Sequence, residues 1–373
     1  MITADDFEIF LTVPPGLEPV LCAELAETGF RDPKPGPGGV SIQGGWPDVW
    51  RANLDVRGAA RVLARIDSFR VVHLSQLDKR SRRVDWASVL RSDVPVKVDA
   101  SCRKSKIYHA GAATERVARA IHESIGAPLA EGDEDAVTIK VRIEDNLCTI
   151  SVDTSGELLH RRGFKEAVAK APMRENLAAL FLRQCGYDGH EPVLDPMCGS
   201  GTFVIEAAEM AAGLAPGRAR SFAFEKLATF DAGAWQAMRP DTPELPSDPL
   251  GYGSDRNTGA IEASEANAAR AGVETLTRFQ VCDVADLRPP EGPPGLVIVN
   301  PPYGARIGNK KALYALYGTL GATLRTHFTG WRVGLVTTDA ALARGTRLPF
   351  AAPGRPVDHG GLKIRLFQTQ ALR

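Results

Sequence analysis

The amino-acid sequence predicts an α/β protein in which an α+β region precedes a mostly parallel, doubly wound sheet. From about residue 173, short apolar runs that end in a polar residue alternate with helical segments, which is the βαβ pattern of a parallel sheet. Before residue 157, strands such as those in 137–153 alternate apolar and polar positions, which is typical of smaller α+β units. A chain of 373 residues is also longer than one core usually supports.

In the N-terminal region, apolar spacing predicts helices between short strands. The expected strands lie at 7–13, within 34–45, at 69–74, at 95–109 (running into a basic loop) and in a hairpin over 137–153. The expected helices lie at 16–28, 52–66 and 113–125.

In the C-terminal region, the predicted strands and helices follow one another in turn. The expected strands are 192–195, 250–255, 277–283, 295–300, 331–338 and 363–370. The expected helices are 174–184, 202–213, 257–271 and 311–327. Residues 214–249 are long for a connection inside a compact domain, so we expect either a lid or a packed excursion around Trp235.

Composition predicts a globular cytoplasmic protein, since 44% of the residues are hydrophobic, 24% are charged and the net charge is zero. No apolar run is long enough to suggest a membrane span, and the acidic start does not resemble a signal peptide. The six cysteines are scattered without a CxxC pair, and no histidine pair has metal-ligand spacing. We therefore expect reduced thiols and no metal site.

Polar residues end four successive predicted strands of the C-terminal region: Asp195, Asp255, Asp283 and Asn300. In doubly wound folds, ligands bind outside the carboxyl ends of the strands. One such aspartate is unremarkable as a loop residue, but four on successive strands would line a single crevice. The pattern therefore predicts a ligand site at this edge.

The loop PMCGSGT follows Asp195 and predicts close approach of backbone to a ligand. Gly199 and Gly201 can adopt backbone angles closed to other residues, and Ser200 and Thr202 could cap the next helix. The loop is neither a Walker loop nor GxGxxG, so an ammonium-bearing ligand is favoured over a phosphate. We expect Cys198 to be a packing residue rather than a nucleophile.

The stretch NPPYG, residues 300–304, closes another predicted strand. Its two prolines restrict the backbone and lack N–H donors, which leaves the Asn300 amide oxygen and the Pro301 carbonyl as acceptors. Two such acceptors suit an exocyclic amine, and the Tyr303 ring could stack on a planar base. The alternative interpretation is a turn after a buried strand.

The motifs DPMCGSGT, SDRN (254–257), VCDV (281–284) and VNPPYG (299–304) resemble those of class I S-adenosylmethionine-dependent methyltransferases. LLHRRGF, APMRENLAAL and FAFEKLATFD are similar to segments of RNA guanine-N2 methyltransferases that carry a THUMP domain. SCRKSKIYH and DWASVL resemble THUMP elements. The resemblance implies a ferredoxin-like subdomain at 1–66, a THUMP RNA-binding domain at 67–156, a linker at 157–172 and a Rossmann-like methyltransferase domain at 173–373.

The resemblance also implies roles in direct methyl transfer, with S-adenosylmethionine as the cofactor and no metal. Asp195 and the glycine loop would hold the methionine moiety, Asp255 the ribose, and Asp283 with Val284 the adenine. The implied cofactor-binding residues are Asp195, Pro196, Cys198, Gly199, Ser200, Gly201, Thr202, Asp255, Arg256, Asp283, Val284 and Asn300. The implied catalytic residues are Asn300, Pro301, Pro302 and Tyr303.

An uneven charge distribution is consistent with an RNA partner. Residues 51–120 hold 16 basic against 7 acidic residues, and 161–174 hold five against one. The predicted RNA-binding residues are Arg103, Lys104, Lys106, Arg161 and Arg162. A guanosine in 23S rRNA is favoured as the target over tRNA. An adenine-N6 methyltransferase and a non-catalytic RNA-binding or assembly factor stay open as alternatives, and a monomer is favoured although the sequence does not decide it.

Overall fold

The computed structural model describes residues 6–130, 132, 135–166, 173–239, 245–246, 248–303 and 310–373. The strands are β1 (Phe7–Thr12), β2 (Lys34–Gly36), β3 (Gly39–Gly44), β4 (Arg61–Arg70), β5 (Val96–Arg103), β6 (Val137–Glu144), β7 (Leu147–Asp153), β8 (Val193–Asp195), β9 (Gly251–Asp255), β10 (Thr277–Val281), β11 (Leu296–Val299), β12 (Arg332–Thr337), β13 (Val357–His359) and β14 (Leu362–Gln368). The helices are α1 (Glu18–Glu27), α2 (Trp46–Asp55), α3 (Leu74–Ser81), α4 (Ala110–Ile125), α5 (Glu175–Gln184), α6 (Thr202–Ala211), α7 (Ala232–Met238), α8 (Thr258–Ala271), α9 (Lys310–His327) and α10 (Ala340–Gly345). Short 3-10 turns cover Trp86–Ser88, Ala223–Lys226 and Glu274–Leu276.

The chain divides into two compact units. The first unit comprises Met1–Val13, Cys22–Leu159 and Arg220–Pro240, and the second comprises Pro14–Leu21, His160–Ala219 and Asp241–Arg373. Each unit contains one seven-stranded sheet.

The sheet of the first unit has the order β2-β3-β1-β4-β7-β6-β5. Only its β5–β6 pair is parallel, and the other pairs are antiparallel. The predicted hairpin is confirmed as β6 and β7, joined by Asp145 and Asn146 at positive φ angles of 49° and 63°. These short polar residues tolerate the left-handed conformation that a tight turn requires.

The predicted helix over 52–66 is wrong in its second half. Helix α2 ends at Asp55, and strand β4 begins at Arg61. Val62 and Ala64 are fully buried while their neighbours are partly exposed, which is the period-two pattern of a strand. Strand β4 pairs with both β1 and β7. It continues through residue 66, where we expected the ferredoxin-like subdomain to end, and that domain boundary stays a prediction.

Part of the long insert belongs to the first unit. Phe222, Phe224 and Trp235 are buried, and the Phe224 ring lies 5.0 Å from that of Trp235 and 6.1 Å from that of Trp50. Aromatic pairs at these separations add to the stabilisation from burial. We expected the insert to be either a lid or a packed excursion, and the described residues 220–239 form a packed excursion.

The sheet of the second unit has the order β10-β9-β8-β11-β12-β14-β13. Its strands from β10 to β12 are mutually parallel, and β14 is antiparallel to both of its neighbours. The predicted mostly parallel α/β sheet is confirmed. Strands β8 and β11 are buried at every position because helices cover both faces of such a sheet.

Among the helices in the described part of the chain, none is long and apolar enough to cross a membrane. All six cysteines are free thiols.

Candidate active site

The structure places the four polar strand ends on adjacent strands. Asp255, Asp195 and Asn300 lie at or directly after the ends of β9, β8 and β11, and Asp283 follows β10. The chain runs outward from β8 to β9 and β10, and then returns to β11 on the other side of β8. The topological switch point therefore lies between β8 and β11, where open α/β sheets bind their ligands.

Asp195 is a buried carboxylic acid at that switch point, with a relative exposure of 2%. Its Oδ1 accepts a hydrogen bond of 3.0 Å from the Met197 backbone N–H. Burial raises the pKa of Asp195 to about 8, an effect that the Met197 hydrogen bond opposes and the charge of Asp255 reinforces. A buried carboxyl group with a raised pKa favours a cationic ligand, because the positive charge stabilises its ionised form.

The glycine loop depends on two left-handed residues, Gly199 with φ of 57° and Gly201 with φ of 82°. A Cβ atom at Gly201 would lie 3.1 Å from side-chain atoms of Ile205 and Ser264. Gly201 itself is the N-cap of α6, and no side chain caps the helix. The predicted capping by Ser200 and Thr202 is therefore wrong, because the N-cap position is occupied by Gly201, which has no side chain.

Two hydrogen bonds tie the loop to neighbouring segments, helix α8 and the segment before α5. The Ser200 carbonyl accepts a hydrogen bond from Asn267 Nδ2 at 3.1 Å. The Thr202 hydroxyl accepts one from Lys165 Nζ at 2.8 Å. Both Ser200 and Thr202 are buried, as is Pro196 at the start of the loop. Their main contribution is to hold the backbone of the loop in place.

Asp255 joins the loop to strand β9. Its Oδ2 accepts a hydrogen bond of 3.2 Å from the Gly199 N–H, and its Oδ1 accepts one of 2.9 Å from the Asn257 N–H. Each carboxylate oxygen retains further acceptor capacity. The Arg256 side chain next to it is exposed.

Cys198 packs beneath the loop. It is 6% exposed and belongs to a small apolar cluster with Val204 and Ile261. Burial raises the pKa of the Cys198 thiol, and the charge of Asp195 raises it further. A thiol kept protonated in this way is a poor nucleophile, which agrees with the packing role that we expected.

The residues after β10 differ in exposure. Asp283 is exposed, and its Oδ1 accepts a hydrogen bond of 3.0 Å from the Ala285 N–H. Val284 is 6% exposed and contributes to the main apolar core of the second unit. This arrangement leaves a carboxylate and backbone groups at the edge of the sheet.

The NPPY turn contains an unpaired acceptor. Asn300 Oδ1 is buried and has no hydrogen-bond partner among the described residues. Pro301 is buried, whereas Pro302 and Tyr303 are partly exposed, and Tyr303 packs against the main core. Burial raises the pKa of the Tyr303 hydroxyl. The last residue of the motif, Gly304, lies outside the described residues.

Sequence reasoning missed two residues that support this turn, Tyr317 on α9 and Thr337 on β12. The fully buried Tyr317 hydroxyl donates to the Pro302 carbonyl at 3.3 Å and lies 3.2 Å from Thr337 Oγ1. Burial raises the pKa of Tyr317, so it stays protonated and can donate. The helical pattern predicted α9, but it could not indicate which aromatic residue faces the turn.

The predicted RNA-binding role of Arg162 is wrong. Its side chain is 1% exposed, and its Nε lies 3.0 Å from Glu206 Oε1. A side chain in that position cannot reach a phosphate in solvent. Arg103, Lys104, Lys106 and Arg161 are exposed, so they keep their predicted accessibility.

Sequence reasoning also missed the ionic network to which Arg162 belongs. Lys165 Nζ lies 2.9 Å from Glu175 Oε1, and Arg218 Nη2 lies 2.5 Å from Glu209 Oε1. The signal was visible in α6, TFVIEAAEMA, where two glutamates interrupt an apolar helix. Buried glutamates need cationic partners: Arg162, before α5, supplies one for Glu206, and Arg218, after α6, supplies one for Glu209.

Comparison with known families gives two matches. The family model UPF0020, described as the RMKL-like methyltransferase domain, matches residues 162–350. A second model, the RlmL ferredoxin-like domain, matches residues 8–63. The predicted ferredoxin-like region before a methyltransferase domain is confirmed.

Among curated proteins, the ribosomal RNA large subunit methyltransferase K/L of Syntrophotalea carbinolica is 35% identical over 355 residues. The match covers 90% of this chain and 50% of that protein. The chain spans about half the length of the curated relatives it matches.

Solved structures share the whole fold. A possible methylase from Clostridium difficile 630 has a TM-score of 0.89 and 29% identity, with 99% of each chain covered. A putative methyltransferase solved in complex with S-adenosylhomocysteine has a TM-score of 0.85 and 25% identity, with 100% of each chain covered. Together with the strand order and the family match, these likenesses show that the chain belongs to the family of RMKL-like methyltransferase domains.

Proposed function

We propose that the chain is a cytoplasmic S-adenosylmethionine-dependent RNA methyltransferase that modifies the exocyclic N2 amine of a guanosine in large-subunit ribosomal RNA. The observation that carries this proposal is the buried, unpaired Asn300 Oδ1 beside the switch point of the sheet. A buried acceptor without a partner is costly, and at the ligand edge of a sheet a catalytic role accounts for such a group. The names of the curated relatives support ribosomal RNA as the substrate.

The strand-end residues fit S-adenosylmethionine. Asp195 offers a carboxyl group to the ammonium, Asp255 offers acceptor capacity to the ribose hydroxyls, and Asp283 lies exposed at the next strand for the adenine. The left-handed Gly199 and Gly201 allow close backbone approach. When bound, the cofactor supplies an electrophilic methyl group on a sulfonium. The solved relative that contains S-adenosylhomocysteine supports this assignment.

The residues of the NPPY turn would hold and orient the target amine. Asn300 Oδ1 and the Pro301 carbonyl accept its two N–H groups, which localises a lone pair that is otherwise delocalised into the guanine ring. Tyr303 stacks on the base, and Tyr317 keeps the Pro302 carbonyl in register. Positioning of the amine and its hydrogen bonds to fixed acceptors would together account for much of the rate enhancement.

RNA contact is assigned to exposed basic residues. Arg103, Lys104, Lys106 and Arg161 are accessible to phosphates, and that part of the binding should weaken steeply with salt. The target base must leave its stack, which costs a few kcal/mol and is easier in a loop or bulge. We retain the division into 1–66, 67–156, 157–172 and 173–373, with THUMP-type RNA binding in the second segment, as part of the proposal.

The test uses purified protein, methyl-labelled S-adenosylmethionine, and unmodified ribosomal and transfer RNA in separate reactions. The RNA is digested and the labelled nucleoside is identified, with the Asn300→Ala protein as a control. We expect N2-methylguanosine in ribosomal RNA. The same product in transfer RNA would show that transfer RNA is the substrate, and N6-methyladenosine would show that the target base is adenine. An absence of label in both RNAs, with cofactor binding intact, would favour the assembly-factor alternative.

A further inference from the structure

Tyr108 is unusually accessible for an aromatic residue. Its relative exposure is 84%, whereas the next most exposed of the described large hydrophobic side chains, Val281, reaches 54%. Tyr108 lies between β5 and α4, in the segment 103–109 that we term the basic loop. At this exposure both the aromatic face and the hydroxyl of Tyr108 are accessible to a ligand.

The basic loop is held rigid on the side of the neighbouring hairpin. The Lys106 N–H donates to Asn146 Oδ1 at 2.8 Å, and the Asn146 N–H donates to Ser105 Oγ at 3.0 Å. Ser105 Oγ in turn donates to the Arg103 carbonyl at 2.8 Å. Lys104 has a positive φ of 46°, which these contacts stabilise.

The other end of the basic loop is anchored as well. Ile107 is 4% exposed, and His109 caps α4 by accepting a hydrogen bond of 3.0 Å from the Ala112 N–H at Nδ1. Tyr108 therefore projects from a backbone fixed on both sides. A preorganised aromatic side chain binds a partner with little loss of conformational entropy.

The charges around Tyr108 favour a polyanion. Arg103, Lys104 and Lys106 have exposed side chains. The acidic groups that face them are Glu144 and Asp145 of the hairpin. Glu144 is engaged by Arg142 through its guanidinium Nε at 3.0 Å, and Arg103 Nη1 lies 3.7 Å from the same carboxylate. The basic loop keeps a net positive charge beside an exposed ring.

We propose that the basic loop is a docking site for an unpaired nucleotide of RNA, with Tyr108 stacked on the base and Arg103, Lys104 and Lys106 on the flanking phosphates. Aromatic side chains bind single-stranded nucleic acid through stacking that tolerates any base, and basic residues follow the backbone. This inference rests on the proposed function in that the substrate is RNA, and it adds the class of RNA segment that is recognised. It assigns Tyr108 to substrate binding, away from the reacting atoms.

The test measures binding of a fluorescein-labelled, unstructured 12-nucleotide RNA by anisotropy over a range of salt concentrations. We expect Tyr108→Ala to weaken binding about ten-fold with an unchanged salt dependence, because it removes stacking and no charge. Tyr108→Trp should stay within about two-fold of the wild type, since an indole ring stacks equally well. Lys104→Glu with Lys106→Glu should instead flatten the slope of log affinity against log salt by about 1.4, at about 0.7 per phosphate contact.

The matched control is Leu129→Ala, which truncates another exposed apolar side chain of the first unit. Leu129 pairs with Val96 at the opposite end of the eight-residue strand β5, about 23 Å from the basic loop at about 3.3 Å per residue. Equal affinity of Tyr108→Ala and the wild type would overturn the inference. The inference would also be wrong if Tyr108→Ala lost as much affinity for a blunt RNA duplex as for the unstructured RNA, because the bases of a duplex are already paired. If polyglutamate displaced the labelled RNA completely, the inference would again be wrong, because an acidic protein would then be the better partner.

The methyl-transfer assay separates this inference from the proposed function. A Tyr108 effect on binding by a protein that methylates no RNA would refute the proposed reaction and retain the docking site. Normal methylation combined with no Tyr108 effect on binding would refute the docking site and retain the reaction. S-adenosylmethionine affinity should be the same for Tyr108→Ala and the wild type, which also verifies that the variant is folded.

Discussion

The two sheets use their strands in different ways. In the second unit, β8 and β11 are buried at every position, so their side chains before the carboxyl end can only build the core. In the first unit, β5 alternates buried and accessible positions and ends in Arg103. A fully buried parallel strand can offer a ligand only the residues at its carboxyl end, whereas a half-exposed strand also offers a face and a loop. The comparison favours the strand ends of the second unit for the proposed chemistry and the first unit for most of the proposed RNA contact.

The largest effect is expected at Arg162, a basic residue of the second unit. We expect Arg162→Met to lower the free energy of unfolding by about 3 to 5 kcal/mol, because it leaves Glu206 buried without its partner. Urea unfolding measures the change. Arg161→Met, at an exposed neighbouring position, should change it by much less, because an exposed charge interaction contributes no more than about 1 kcal/mol. A stable Arg162→Met protein with weakened RNA binding would return Arg162 to the RNA-binding set.

The second prediction tests the chemistry assigned to the strand ends. Asn300→Ala should lower kcat about 100- to 1000-fold, which is the usual effect of removing one oriented hydrogen-bonding group from an active site. Cofactor affinity and the KM for RNA should stay within about two-fold of the wild type, because in the proposed reaction the unpaired Oδ1 accepts from the target amine alone. Steady-state kinetics and calorimetry provide these values. Equal turnover in the variant would remove the NPPY turn from the reaction.

The third prediction concerns pH. The folded-state pKa of Asp195 is raised to about 8, so the free protein holds a proton there at pH 7. Binding of a cationic cofactor should release close to one proton at pH 7 and almost none above pH 9, and affinity should fall up to ten-fold per pH unit below 8. Between the ordinary pKa of an aspartate and about pH 8, Asp195 holds a proton only in the folded state. Its contribution to the free energy of unfolding therefore declines as the pH rises through this interval.

Calorimetry in buffers with different ionisation enthalpies measures this proton release. The matched variant is Asp195→Asn, which keeps the shape of the side chain but cannot ionise. It should release no proton on binding, and it should bind more weakly than the wild type at pH 8 and above, where the wild-type carboxylate is ionised. Equal proton release in the variant and the wild type would assign the titration to another group.

The smallest expected effect belongs to Tyr317→Phe. Loss of the hydroxyl that supports the Pro302 carbonyl should lower kcat by up to about ten-fold, the equivalent of one hydrogen bond. KM for cofactor and RNA should not change, since Tyr317 supports the turn without touching either ligand. A merely structural role would instead lower the melting temperature and leave kcat per folded molecule unchanged. The same split is expected for Thr337→Val.

Much of the site was predictable from the sequence. The positions of Asp195, Asp255, Asp283 and Asn300 follow from apolar runs with a polar end, because the carboxyl ends of parallel strands share one edge. The left-handed conformation of Gly199 and Gly201 was equally visible, since few other residues adopt it at low cost. These inferences use only neighbours along the chain and the rules of strand order.

Tertiary structure decided which polar side chains turn inward and what they contact. Arg162 and Arg161 are adjacent in the sequence, but Arg161 is exposed whereas Arg162 is buried against Glu206, an acid 44 residues away. Tyr317 supports Pro302 across 15 residues, and Lys165 reaches Thr202 across 37. Local patterns determine where strands and helices end. The pairing of buried polar groups depends on packing between distant segments, because a desolvated charge is stable only where a partner is already in place.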